Sequence, residues 1–439
     1  MHRHDLRAAL LGVALSTFFA VPLAAQHAHM PTLPLGGGWE LSAMAQAFPV
    51  VTVGAPRGAS GDPLRRTGWY LTQPAVMAHA ASAGHRVVLH TTLNFEGLTQ
   101  RNGELTFGGW GEGFIDKRHP HTLLHEMMLS VNAWNVAGGA MSLSAGKGFA
   151  PYGTSDPMAR PGLKYPTNHH LSQILERWTL DAAWMRAGWI VEAGLFGGQE
   201  PDGAYDFSNI ESFGDSWSAR IMRRWGATVT TGAQWEASLS FASVTEFAHT
   251  VQETTHLTNA ALQRTGDLGA GRLYVLGEAS RSFLTDHTDF YSLLAEARWD
   301  DGRRQPYARV ELAARPEYER EGAAGDESFF RYDHEVDPVG RTHWLIVTAA
   351  YAQQVTRNPW SVRPFVEVQH HSVWADLGPS AGQLFGSTSF WALTLGARLI
   401  VGGDPMRMGA YGVLDSMTEM GRDTGMAGMS APAPAAHVH

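Results

Sequence analysis

Along most of this chain, segments of roughly ten residues alternate apolar with polar or charged side chains at a period of two. In 86–96 (RVVLHTTLNFE), Val87, Leu89, Thr91, Leu93 and Phe95 form one set, and Arg86, His90, Thr92, Asn94 and Glu96 the other. Successive side chains of a strand point to opposite faces. Each segment therefore has one face suited to an apolar medium and one suited to water. A single such segment fits any antiparallel sheet. More than a dozen of them following an export signal predict a transmembrane antiparallel β-barrel.

The export signal is read at the N-terminus. Residues 1–7 (MHRHDLR) are basic, 8–23 are an apolar run, and Ala24-Ala25-Gln26 offers a small-residue cleavage point after Ala25. The apolar run is short for a spanning helix, and no later stretch is long and apolar enough for one. The chain contains no Cys, which excludes disulfides, thiol catalysis and thiolate metal sites. The 42 acidic residues outnumber the 33 basic ones, so the basic surface that nucleic-acid binding requires is absent.

The alternation predicts sixteen strands (range 14–18), near 38–47, 67–79, 85–97, 122–134, 139–147, 170–186, 189–198, 215–225, 228–244, 253–264, 271–283, 288–299, 305–315, 342–355, 360–373 and 389–401. Short connections (135–138, 187–188, 226–227, 265–270, 300–304, 356–359) alternate with long ones (98–121, 148–169, 199–214, 317–341, 374–388), although 245–252 and 284–287 in the long series are shorter. Short periplasmic turns and long extracellular loops are the pattern of outer-membrane barrels. Trp134, Trp178, Trp189, Trp217, Trp225, Tyr291, Trp299, Trp344, Trp360 and Trp391 fall near strand ends, as interfacial girdles require. The division of the chain is then 1–25 signal peptide, 26–37 a His-containing N-terminal segment, 38–401 the barrel, and 402–439 a Met/His-rich, largely disordered periplasmic tail in which 407–415 is a candidate short strand.

The inward set carries both charge signs. Its lumen-lining candidates are Arg86, Glu96, Arg177, Asp181, Glu192, Arg220, Glu236, Arg272, Glu278, Glu296, Arg298, Arg309, Glu311 and Arg398, joined by Glu126, Arg224, Arg315, Arg363 and Glu367. Sixteen strands leave an aqueous channel unless something fills it, and charged rings set ion preference. The Pro- and Gly-rich segment 146–171 suits a loop folded inward as a constriction, or equally a structured external loop. His119, His121 and His125 lack the order of a zinc-protease motif, and His370 and His371 point to opposite sides of a strand. No nucleophile elbow or phosphate-binding loop is present. The chain ends are the one place where soft-metal donors gather. His27, His29 and Met30 begin the mature chain, and Met406, Met408, Met417, Met420, Met426, Met429, His437 and His439 lie in the tail. Thioether sulfur favours Cu(I), and imidazole suits Cu(II) and related ions. A low-complexity spacer is the competing reading of the same residues.

On the alternation, the sorted loops and the export signal, the chain resembles bacterial outer-membrane porin-like barrels over roughly 38–401. The stretch GKGFAPYGTSDPMARPGLKYPTNHHLSQILER is similar to a segment of uncharacterised proteins of that kind, and the Met/His-rich ends resemble those of copper-resistance outer-membrane proteins. The chain departs from the usual pattern in ending on His439 rather than an aromatic residue. The resemblance implies a non-enzymatic, passive channel for small solutes or ions in the outer membrane of a Gram-negative-type bacterium. Outer-membrane lipid is the expected partner, homo-oligomer formation is left open, and nucleic acid is excluded. No cofactor is expected, copper excepted. The alternatives are a copper- or transition-metal-handling barrel that uses the termini, and an outer-membrane enzyme with a site at the extracellular rim.

Overall fold

The computed structural model describes residues 32–54, 66–99, 122–154, 169–201, 203–207, 210–226, 233–248, 251–284, 289–317, 340–357, 359–385, 387–403 and 407–418. The expected signal peptide lies outside the described residues. The strands are β1 (Thr32–Gly36), β2 (Trp39–Gly54), β3 (Arg66–Ala81), β4 (Val87–Asn94), β5 (Leu124–Val136), β6 (Gly139–Gly148), β7 (Arg177–Arg186), β8 (Trp189–Phe196), β9 (Ser216–Gly226), β10 (Gln234–Ala248), β11 (Val251–Leu268), β12 (Gly271–Leu284), β13 (Phe290–Asp300), β14 (Arg304–Glu317), β15 (Gly340–Gln353), β16 (Val355–Arg357), β17 (Trp360–Leu377) and β18 (Ser389–Val401). Each pairs antiparallel with its chain neighbour. The sheet closes through β9 on β10 and β18 on β2, the latter with Leu395 opposite Val51. β16 prolongs β15, since both lie against β17. β1 pairs with the foot of β2, so part of the expected N-terminal segment is a hairpin arm. What remains is a closed barrel of sixteen strands.

The period-two pattern becomes an inside and an outside. In β17, Ser361, Arg363, Phe365, Glu367, Gln369, His371 and Val373 are buried, and Val362, Val366 and Val368 are exposed. In β8, Ile190, Glu192 and Phe196 face inward, and Trp189, Val191 and Leu195 outward. Leu129, Leu143, Leu239, Leu293, Val310, Val347 and Leu395 continue the outer belt. Removing one such side chain from water is worth about 1.5–3 kcal/mol, so a belt of them is stable only in lipid. Two-residue turns join the strands tightly at one end. Ala137-Gly138 and Ala187-Gly188 both take positive φ at each residue, the geometry that matches hairpin twist. At this turn end, Arg223 lies over Trp189, Arg264 over Trp235 and Arg304 over Trp299, at 5.1, 5.9 and 5.8 Å. These pairs form the aromatic girdle expected at a membrane interface. Trp344 does not join it: its register turns it inward, where it is fully buried.

Some boundaries differ from the sequence reading. β2 runs on to Gly54, because a register shift between Gln46 and Phe48 absorbs the break in alternation. The segment at 170–176 is not strand. A helical turn, His169–Ser172, and an extended stretch lead into β7 at Arg177. β10 begins at Gln234, with 227–232 outside the described residues. Residues 407–415 form turns and a short 3-10 helix, Gly412–Leu414, rather than a strand.

Candidate functional site: the filled lumen

The inward face holds the candidate chemistry. Two segments fold in against it: the start and end of the β6–β7 loop, and the C-terminal segment 407–418. The expectation of a largely disordered tail is corrected for these twelve residues, which are mostly buried inside the barrel. Residues 419–439 lie outside the described set. The physical reason is that Met408, Tyr411, Val413 and Leu414 supply enough apolar surface to dock, and Arg407, Gly409, Tyr411 and Asp415 each meet a partner on the wall.

From the end of β18 the segment reaches across the barrel. Arg407 contacts Glu236 of β10 at 3.2 Å, and Arg224 of β9 holds the same carboxylate at 2.6 Å. The Gly409 N–H donates to Glu126 of β5 at 3.1 Å. The Tyr411 hydroxyl donates to the same Glu126 oxygen at 2.7 Å and accepts the Phe149 N–H at 2.9 Å. Burial, with Glu126 alongside, pushes the Tyr411 hydroxyl well above its ordinary pKa, so it remains a donor. Gly412 takes φ +61°, and a Cβ there would sit 2.4 Å from the Ser142 side chain, a clearance only Gly has. Val413 and Leu414 pack with Ile190 and Met222 of β8 and β9.

Asp415 completes the docking and is 1% exposed. One oxygen lies 3.0 Å from His79 Nε2 of β3 and the other 3.2 Å from His90 Nδ1 of β4. The first oxygen also accepts the N–H groups of Met417 and Thr418, capping the turn that follows. Burial opposes the ionised carboxyl, but the two imidazoles outweigh it and hold Asp415 well below the usual carboxylate range. His90 in turn stands 3.4 Å from Glu126, so one polar chain links β3, β4, β5 and the tail.

The β6–β7 loop fills the adjoining space. The Gly153 N–H donates to Ser240 of β10, and Thr154 to Glu278 of β12, at 2.9 and 2.8 Å. Tyr152, Ile174 and Phe196 pack with Ala242, Val244 and Leu257. Of the two readings left open for this loop, the inward one holds for the described part, while 155–168 lie outside the described residues. Arg220 ties wall, loop and tail together. It grips Glu192 with two bonds of 2.6 and 2.9 Å and donates to the Gly153 carbonyl at 3.0 Å and the Gly409 carbonyl at 3.4 Å. A bidentate guanidinium–carboxylate pair with spare donors suits such a junction.

The opposite wall, β13–β18, pairs its charges along and across neighbouring strands. Arg309 bonds Glu311 at 2.8 Å and the Tyr307 hydroxyl at 3.0 Å, while Tyr274 and Tyr307 donate to Glu296 at 3.1 and 2.8 Å. Arg315 stands 3.6 Å from Glu317, Arg298 3.5 Å from Asp300, and Arg398 donates to Gln46 at 2.9 Å.

The structure thus places Arg177, Asp181, Glu192, Arg220, Glu236, Arg272, Glu278, Glu296, Arg298, Arg309, Glu311 and Arg398 on inward register. Glu96 is also buried, and its role is local: it accepts the Gln73 N–H at 2.9 Å and the Thr72 hydroxyl at 3.2 Å. Arg86 is exposed in the turn before β4 and does not line the lumen, because the strand starts one residue later. In the cluster of Tyr411, Asp415, His79, His90 and Glu126, alternation puts His90 and Glu126 on the polar face, and the other three carry no such signal.

The soft-metal donors fare differently. His27, His29, Met30, Met406, Met420, Met426, Met429, His437 and His439 lie outside the described residues. Met408 is not in a disordered tail. It is buried with Met44, Met77, Phe149, Leu175 and Ile400, and Met417 packs on the same cluster. Among the described residues, no group of three or more His, Cys, Asp or Glu is arranged to hold a metal. At the loop-end rim, His343 bridges Tyr291 and Asp376 at 3.1 and 3.0 Å and stacks on Trp374, as part of the outer aromatic belt.

A closed sheet with an apolar exterior and a polar, charged interior defines a membrane-spanning β-barrel. No family model and no curated protein matches the chain. Among solved structures it is similar to outer-membrane expressed OmpT of Vibrio cholerae, at 11% identity, covering 84% of this chain and 100% of that one with a TM-score of 0.47. It is also similar to an anion-selective porin from Comamonas acidovorans (11% identity, 82% and 99% covered, TM-score 0.45) and to Pseudomonas putida OprB (10%, 83% and 94%, 0.46).

Proposed function

We propose that the protein is an outer-membrane, porin-like channel for passive passage of small solutes or ions. The observation that carries this reading is the inner face of a barrel this wide, which places Arg and Glu at inward positions on both walls. A barrel that needed only a stable interior would fill it with apolar residues, since burying a charge costs several kcal/mol that pairing has to offset. Sixteen strands also enclose more width than wall side chains alone can fill. Reconstituted into planar bilayers, the protein is expected to give discrete conductance steps whose ion preference shifts in Arg309→Gln. Silence from both the full-length chain and variants with a cleared lumen would rule the channel out.

A second reading, soft-metal handling, has one observation in its favour. Two wall thioethers, Met44 and Met77, meet two tail thioethers, Met408 and Met417, in one cluster. Thioethers are ligands for Cu(I) and its analogue Ag(I). Titration with Ag(I) is expected to show binding that Met44→Leu/Met408→Leu abolishes, a swap that preserves packing volume. Equal binding by both proteins would sink it.

A further inference from the structure

We propose that residues 407–418 are a dockable stopper, held in the lumen by a built receptor on the barrel wall and able to leave it without unfolding the barrel. The inference rests on the channel reading and goes beyond it.

Three observations support it. First, the segment runs across the half-ring from β10 to β3 and β4 and is not held by a single strand. Arg407 is fixed to β10 by Glu236, while Asp415 is fixed to β3 and β4 by His79 and His90. β2 and β10 stand on opposite sides of a sixteen-strand ring, and Met417 returns to Met44 of β2. Second, the receptor is specific. Glu126 takes both the Gly409 N–H and the Tyr411 hydroxyl, Ser142 leaves room only for a glycine at 412, and Asp415 has an imidazole for each oxygen. A segment lodged without selection would not meet Glu236, Glu126 and the His79–His90 pair in turn with groups that complement them. Third, the barrel does not need the segment to close. The β18–β2 seam pairs Ala45–Ala47 and Val50–Gly54 with strand residues alone, and the chain enters the lumen only after Val401. The stopper follows β18 in the same chain, so it binds as an intramolecular ligand at high effective concentration.

The test compares three preparations in planar bilayers: the full-length chain, the full-length chain carrying Asp415→Lys, and a chain ending at Gly403. Heat-modifiability on gels shows that each is a folded barrel. Asp415→Lys sets a cation against His79 and His90 and is expected to give a several-fold higher single-channel conductance, as is the truncated chain. Adding a synthetic 407–418 peptide to the truncated channel is expected to bring conductance back toward the full-length value, and the same peptide with Asp415→Lys to leave it open. Steps of equal size in all three folded proteins, or no block by the peptide, would overturn the stopper while leaving the channel reading intact. Silence from all three would overturn both.

Discussion

The two walls of the lumen satisfy their charges in different ways. On β13–β18 the partners lie on the same or an adjacent strand: Arg309 with Glu311 and Arg315 with Glu317 are two residues apart on one strand face, Glu296 is met by Tyr274 and Tyr307, and Arg398 by Gln46 across the β18–β2 seam. On β3–β10, pairs between adjacent strands such as Arg220–Glu192 and Arg224–Glu236 are joined by partners from far along the chain. His90 meets Asp415 across 325 residues, Glu126 meets Tyr411 across 285, and Glu236 meets Arg407 across 171. A wall paired locally keeps its arrangement whatever occupies the conduit. A wall paired with a tail and a loop changes its electrostatics when they leave. The first wall is scaffold, and the second is a binding surface.

Arg220→Ala tests this contrast most strongly. Removing the guanidinium strands Glu192 and releases both the Gly153 and Gly409 carbonyls, at a cost of about 3–5 kcal/mol in denaturant unfolding. Arg309→Ala is expected to cost a similar amount, because it takes a buried cation away from Glu311 and Glu296. The two should part in conductance: Arg220→Ala raises it and Arg309→Ala does not. Equal conductance changes would erase the distinction between the walls.

A smaller effect separates lumen from lipid. Leu395→Arg on the outer belt is expected to destabilise the barrel by about 2–4 kcal/mol near the bilayer midplane. Its inward neighbour Thr394 is expected to tolerate Ser with little loss, which comparative unfolding in lipid vesicles would check. Smaller again, Tyr411→Phe removes the donor to Glu126 and the acceptor for Phe149, costing about 1–3 kcal/mol of docking. This should appear as faster opening of the tail rather than as barrel unfolding.

The smallest expected effect is that of pH. Asp415 has its carboxyl held below the ordinary value, so its contribution to docking is complete above an unfolded carboxylate value of about 3.9 and declines as pH falls through the lower folded value. The groups that face it are His79 and His90, with Glu126 behind His90 and His85 beside His79. Burial and the neighbouring His79 lower the pKa of His85. Through Asp415, tail protection should therefore fail in acid below the ordinary carboxylate value. Loss near neutral pH would place the control elsewhere.

The sequence made the barrel legible because alternation is local. Each of the sixteen expected segments corresponds to a barrel position, and inward residues such as Glu192, Glu296 and Arg398 follow from parity alone. The far wall was readable for the same reason, since Arg309 and Glu311 announce their pairing by spacing. The near wall was not, because nothing at His79 or His90 points to Asp415. The tail carried a faint signal. Tyr411, Val413 and Leu414 are apolar, and Asp415 precedes Ser-Met-Thr as a capping residue precedes a helical turn. Dense Gly and Met around them made the region read as a spacer. Trp344 shows the opposite error, an aromatic at a strand end that parity, not end position, assigns to the interior.

Because the chain has no Cys, a single introduced thiol reports on the central claim directly. Val413 is 0% exposed in the docked tail. In the folded, reconstituted protein, Val413→Cys is predicted to resist a water-soluble maleimide and to react only when docking is broken by Asp415→Lys or by denaturant. A thiol at 413 that reacts in the folded protein as fast as in the denatured chain would show that the tail does not occupy the lumen.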